Sequence, residues 1–319
     1  MFGPTPLRDI FLVAGFELRE MVRSRRAALF TALYLLVAAM GSYFFVWILT
    51  HVEPPRPPPR RSVFSASARP DPVVVNSDKP EEKRLFERGS PFRMIVTGSI
   101  NEQAAVDFLV AQSPITLFHF LISLSMLPLV IMITSSESIA QEHQTRGVRF
   151  IGMRTGRAEF VIGKLLGQGA TIAGMTLLAG GVCIAVAWWK LGDFEFFPAL
   201  GSILLFWPRL LAYCIAFLGL AGLCSMSSTS TVASRTFSLV GVVFLWIMNH
   251  FAEFYQSGVP ADDPHARAWH FIQFFSPFSH QNDLWYPEFS RYGYAMGSLV
   301  LLAVIYVALG LAFYRKRDL

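Results

Sequence analysis

Six stretches of this chain are too long and too nearly free of charge to lie in the core of a water-soluble protein: residues 29–49, 115–134, 165–189, 199–224, 236–255 and 293–314. A helix rises 1.5 Å per residue, so about 20 apolar residues cross the roughly 30 Å hydrocarbon layer of a bilayer. No water is available there to bond exposed peptide groups, and the helix satisfies them within each run. The sequence therefore predicts an all-α membrane protein with six transmembrane helices. Composition agrees: of 319 residues 53% are hydrophobic and only 15% charged, too few charges for a soluble surface.

The first run starts late, is longer than a signal-peptide core and lacks a small-x-small cleavage site, so it reads as a span that is kept. Cys183, Cys214 and Cys224 lie inside hydrophobic runs at irregular spacing. An odd set of membrane-buried thiols fits small core residues rather than a disulfide framework or a metal site. The net charge of +5 does not point to nucleic acid, because the basic residues gather at particular membrane edges.

Those edges set the orientation. One side receives Arg8, Arg19, Arg23, Arg25, Arg26, Arg146, Arg149, Arg154, Arg157, Lys164, Arg235, Arg315, Lys316 and Arg317, whereas the short loops opposite hold only Lys190, Arg267 and Arg291. Short cytoplasmic loops carry the Lys/Arg excess, so both termini are expected in the cytoplasm. Trp47, Trp188 and Trp189 fall at the expected outer ends, where aromatic belts form.

Between and before the spans, four segments carry information. Residues 1–28 include an amphipathic stretch over 7–22, with Leu7, Ile10, Phe11, Ala14, Leu18, Met21 and Val22 on one helical face, which predicts an interfacial helix. It serves as a topology anchor or also touches a partner. Residues 50–114 form a sizeable extracytoplasmic loop. It opens on EPPRPPPRR at 53–61, an extended linker or a recognition ligand, and a small ordered piece is expected over 81–111. Residues 135–164 are short, charged and cytoplasmic. Glu137–Thr145 suits a helix that Gly147 can end, and Thr155 is the expected N-cap of the next. The aromatic segment 256–292 suits interfacial or re-entrant helices on the outer side.

Three of these pieces, in order, carry a resemblance. The first is FELREMVRSRRAALF at 16–30, feeding into span one. The second is the 135–164 loop, with Ser138-Ile-Ala-Gln-Glu142, Thr145-Arg146-Gly147, Arg149–Met153, Gly156-Arg157-Ala158-Glu159 and Gly163-Lys164. The third is AFYRKRDL at 312–319, with Ser276-Pro277 ahead of the last span. Together they resemble the permease subunits of type-2 ABC exporters over essentially the whole chain. His143-Gln144 and Val148 depart from the usual pattern, and the loop after span one is larger than in the simplest members. The resemblance implies a separate ABC ATPase, expected in two copies and holding the ATP and magnesium, and a second permease copy or a homologue. It further implies a bacterial inner membrane, a connecting helix over 7–26 and a coupling helix within 137–164. Glu137, Glu142, Arg146, Arg149, Arg157 and Lys164 are the candidate ATPase-coupling residues. An extracytoplasmic partner could sit on 50–114.

The chain has no ATPase machinery of its own. Gly156 to Gly163-Lys164 has the wrong spacing for a phosphate-binding loop and is followed by Leu165, and no paired-histidine metal motif or nucleophile elbow occurs. The chain is therefore expected to be neither an enzyme nor a metal site. Its intramembrane polar residues are Arg209, His250, Glu253 and His119. A charge at mid-membrane costs at least roughly 2.5 kcal/mol, so Arg209 is expected to pair with Glu253 or lie near His250, as a pathway charge or a structural pair. His119 is a proton relay or an interhelical hydrogen-bonding group. Gly163 and Gly167 predict close helix packing. A secondary transporter and a non-transporting scaffold are the competing readings.

Overall fold

The structure, a computed structural model, describes residues 6–51, 102–144, 156–191, 194–258 and 264–316. These residues form helices and no strand: α1 (Pro6–Arg23), α2 (Arg25–His51), α3 (Gln103–Ala111), α4 (Pro114–Ser135), α5 (Ser138–Gln144), α6 (Arg157–Lys190), α7 (Phe196–Ser227), α8 (Thr231–Gly258), α9 (Pro264–Phe274) and α10 (Phe289–Arg315). Two 3₁₀ turns, Pro277–His280 and Asn282–Trp285, separate α9 from α10. Six helices (α2, α4, α6, α7, α8 and α10) are long and apolar enough to cross a membrane. The proline-rich stretch 53–61, most of the expected ordered piece at 81–111, and Arg146, Gly147, Arg149 and Thr155 lie outside the described residues.

The helices run past the apolar stretches that predict them, because charged residues continue the same hydrogen-bonded ladder at either end. The third span is the clearest case. It begins at Arg157, with Gly156 rather than Thr155 as its N-cap. Glu159 folds back over that glycine, so closely that a Cβ on Gly156 would meet its carboxylate. A carboxylate in the first turn faces the orphan N–H groups and the positive end of the helix dipole, and glycine leaves room for it.

Helix α7 is the hub. Its hydrophobic window is 72% buried, against 17% for α8. Tyr213, Phe217 and Phe206 are wholly enclosed, and Gly219 lets α10 approach so near that a Cβ there would lie 2.8 Å from Ala303 Cα. By contrast, α2 and α8 present broad apolar faces outward, including Leu33, Leu36, Met40, Phe44, Val240, Phe244 and Ile247. In a bilayer such faces meet lipid or another apolar helix at no cost in solvation.

Packing on α1 divides its apolar stripe. Ile10, Val13, Ala14 and Glu17 lie on α6, seated on Gly163 and Gly167, while Leu7, Phe11, Phe16 and Val22 stay exposed. A Cβ at Gly163 would stand 2.6 Å from Val13 Cβ and 2.8 Å from the Ile10 carbonyl oxygen, and one at Gly167 would stand 2.8 Å from the Ala14 carbonyl oxygen. The two glycines thus form a groove for a helix of the same chain.

Candidate functional site

The charged stretch between spans two and three meets α1 at a single ammonium group. Lys164, two turns beyond the α6 N-terminus and buried, places Nζ 3.2 Å from Glu17 Oε2 on α1 and 3.2 Å from Glu142 Oε1 on α5. The same nitrogen donates to the Ser138 carbonyl at 3.1 Å. Gln168, one turn further along α6, donates to Glu17 Oε1 at 3.0 Å. An ammonium has three N–H bonds and no acceptor, and here it faces oxygens from two other helices. Buried charges persist where they are paired and hydrogen-bonded.

Around this node lies a cleft of roughly 370 Å³, walled by Glu20, Ser24, Arg25, Glu137, Gln141 and Glu142 among others. Burial raises the Glu20 pKa; Lys164 opposes the shift, and the neighbouring Glu17 and Glu142 add to it. At the other end of α5, Glu137 pairs with Arg235 of α8, the Ser234 hydroxyl donates to the Ser136 carbonyl, and the N–H groups of Ile139 and Ala140 donate to Ser225 Oγ at 3.1 and 3.0 Å. Arg157 donates to the Arg315 carbonyl at 3.4 Å and lies over the Tyr314 ring, which ties the start of α6 to the end of α10.

Of the six candidate coupling residues, Glu142 and Lys164 thus meet directly, Glu137 and Arg157 hold α5 and α6 to other spans, and Arg146 and Arg149 fall outside the described residues. Glu17, Gln168, Ser225 and Ser234 were not singled out from the sequence. For Glu17 a signal exists: it is an acidic residue among the positions that pack with Ile10 and Ala14. The serines give none, since a hydroxyl at a helix end is common and its partner is distant in the chain.

The intramembrane groups separate into three places. Arg209, 3% exposed, donates to the carbonyls of Leu284 and Tyr286 at 2.8 and 2.9 Å. Its guanidinium lies 4.0 Å from the centre of the Tyr292 ring and 5.1 Å from that of Phe206. The expected pairing with Glu253 is corrected: Glu253 accepts from Asn249 at 2.8 Å and lies 3.7 Å from His250 Nδ1. The reason is in the backbone. Irregular chain between α9 and α10 leaves carbonyls without helical partners, such groups need donors away from water, and the five-donor guanidinium on α7 supplies them.

Asn249, His250 and Glu253 instead line a cavity of roughly 550 Å³ between α8 and α4, closed on one side by Phe278, Gln281 and Asn282. His119 joins a third arrangement, in which its Nδ1 lies 3.4 Å from Ser123 Oγ, itself 2.7 Å from the Tyr34 hydroxyl. Ser123 thereby links α4 to α2, while the His119–Ser123 contact itself lies within α4.

Six apolar spans, a short helix after the second and an N-terminal helix seated on the third define a multi-pass membrane protein. The family model described as ABC-2 family transporter protein matches residues 11–319, and the chain belongs to that family. No curated protein matches it in sequence.

Proposed function

We propose that the chain is the membrane-spanning permease of an ATP-driven exporter, worked by a separate ABC ATPase that docks against α5 and α1. The observation that carries this reading is the Lys164 node. One buried ammonium joins the N-terminal helix, the short cytoplasmic helix and the third span, so a push on either short helix reaches a membrane span through a stiff connection. Family membership supports a permease; export, the partner and the site of docking are our reading.

In this reading two ATPase subunits hold ATP and magnesium, two permease copies or a permease and a homologue form the pathway, and both termini face the cytoplasm of a bacterial inner membrane. The exposed apolar side chains of α1 lie in the headgroup region, and a further partner binds the extracytoplasmic loop of residues 50–114. The cavity lined by Asn249, His250 and Glu253 belongs to the substrate path, with Arg209 outside it as a structural anchor.

The test is a mild-detergent purification of the tagged chain from its native host, followed by an ATPase assay. A stoichiometric partner of ATPase size, lost on joint exchange of Glu142→Arg and Arg149→Glu, is the expected result. A chain that purifies alone without ATP turnover in several detergents overturns the reading. Transport that then collapses with the ion gradient would mark a secondary transporter, and no transport a scaffold.

A further inference from the structure

We propose that α8 is a lever through which α5 acts on the polar cavity, and that Glu137 and Arg235 are its point of attachment. The proposal deepens the exporter reading above and rests on it.

The start of α5 is bound to the turn between α7 and α8 by four separate contacts. Helix starts leave N–H groups with no acceptor in their own helix, and those of Ile139 and Ala140 are taken by Ser225 in the last turn of α7. Ser234 in the first turn of α8 donates to the Ser136 carbonyl. Arg235, next to it, pairs with Glu137. Ser136, Ser225 and Ser234 are all buried, so these bonds are shielded from competing water. A displacement of α5 therefore pulls on the α7–α8 turn.

Packing decides which helix yields. The hub helix α7, 72% buried, cannot move without disrupting the core, whereas α8 is 17% buried. Its contact with the rest of the chain is a narrow seam in which Ser234, Ser238, Val242, Asn249 and Ala252 are buried. Small hydroxyl side chains at the cytoplasmic end of that seam offer little to resist tilting.

The far end of the same helix forms one wall of the cavity, through Trp246, Asn249, His250 and Glu253, with Leu124, Ser125 and Pro128 of α4 opposite. Arg235 and His250 stand about 22 Å apart along a straight helix. A helix is stiff over that length, so tilt imposed at Arg235 changes the width of the cavity. Coupling of this kind needs a rigid element with two arrangements that both sites bias; α8 bears on both sites at once.

The experiment uses the chain in complex with its co-purifying ATPase, spin-labelled at Ser125→Cys on α4 and Val243→Cys on α8. The native cysteines are buried. Pulsed electron resonance gives the distance between labels with no nucleotide and with a non-hydrolysable ATP analogue. A nucleotide-dependent shift is expected, lost in Arg235→Glu and regained in the double exchange Glu137→Arg with Arg235→Glu. Where Arg235→Glu does not assemble, Arg235→Gln is expected to lose the shift as well. A shift that persists undiminished without the ion pair, a double exchange that does not restore it, or a fixed distance in an active wild-type complex overturns the lever. If no ATPase accompanies the wild-type chain, the exporter reading itself fails; if an active ATPase is present and the shift is indifferent to Arg235, only the lever does.

Discussion

Lys164 on α6 and Glu17 on α1 face each other at 3.2 Å, each side chain only 6% exposed. The two residues come together because Gly163 and Gly167 let the backbone of α1 lie in van der Waals contact with α6. Glu142 then reaches the same ammonium from α5, and the charge becomes the shared fastening of three helices.

Lys164→Met leaves Glu17 buried without a counter-charge. Breaking a buried pair from one side costs about 3–5 kcal/mol, so the melting temperature in detergent is expected to fall steeply. The joint exchange Glu17→Gln with Lys164→Met should recover most of the loss. Equal destabilisation by the single and double variants would show that the pair is not what holds α1.

Gly163→Val is expected to lift α1 from α6, since even the first carbon of the new side chain would overlap Val13. Gly174→Ala, on the same helix with open space around it, is expected to be neutral or to stabilise by up to about 1 kcal/mol through helix propensity. Proteolysis of the N-terminal helix, compared between the two variants, reads the difference.

Arg209→Met removes the donors that serve the Leu284 and Tyr286 carbonyls. Hydrogen bonds to a charged group contribute about 1.5–3 kcal/mol each, so the segment between α9 and α10 should become open to protease and the melting temperature should drop. Glu253→Gln is expected to leave both unchanged. Destabilisation by Glu253→Gln comparable with that of Arg209→Met would restore the pairing between the two helices.

Glu20 predicts a pH dependence. Burial raises its pKa above the ordinary 4.5, so the folded state holds the proton more tightly than the unfolded chain. Stability from this group is fully present below the unfolded value and is lost as pH rises through the folded one. Glu20→Gln should therefore stabilise the protein slightly at neutral pH and make no difference in acid. Melting curves of the two proteins at acid and neutral pH give the comparison; a gap that widens in acid contradicts the assignment.

Much of the architecture is legible before any coordinates, because hydrocarbon solvent leaves few choices. Each apolar run had to be a helix, and the short helix after span two, Ser138–Gln144, lies within the stretch 137–145 that suits one. What is hidden is partnership at long range. Arg209 announces itself as costly, yet nothing in its neighbours along the chain says that its acceptors are peptide oxygens 75 and 77 positions later. Opposite charge favoured Glu253 on paper, whereas irregular backbone offered stronger need. Glu17 was passed over because an amphipathic helix is read by its apolar stripe, and the groove that α1 fills is cut by glycines on another helix. The bonds from Ser225 and Ser234 to α5 are invisible for the same reason.

The grip of Arg209 has a consequence for how the chain tolerates change. Because the oxygens it holds at 284 and 286 belong to the main chain, those two residues can be exchanged for others of similar bulk without losing these bonds, while no exchange at 209 is equivalent. Random mutagenesis of positions 209, 284 and 286 should therefore yield many functional variants at the last two and an intolerant first. Such a map, with one forbidden site and permissive partners, is the mark of a contact written in the peptide backbone.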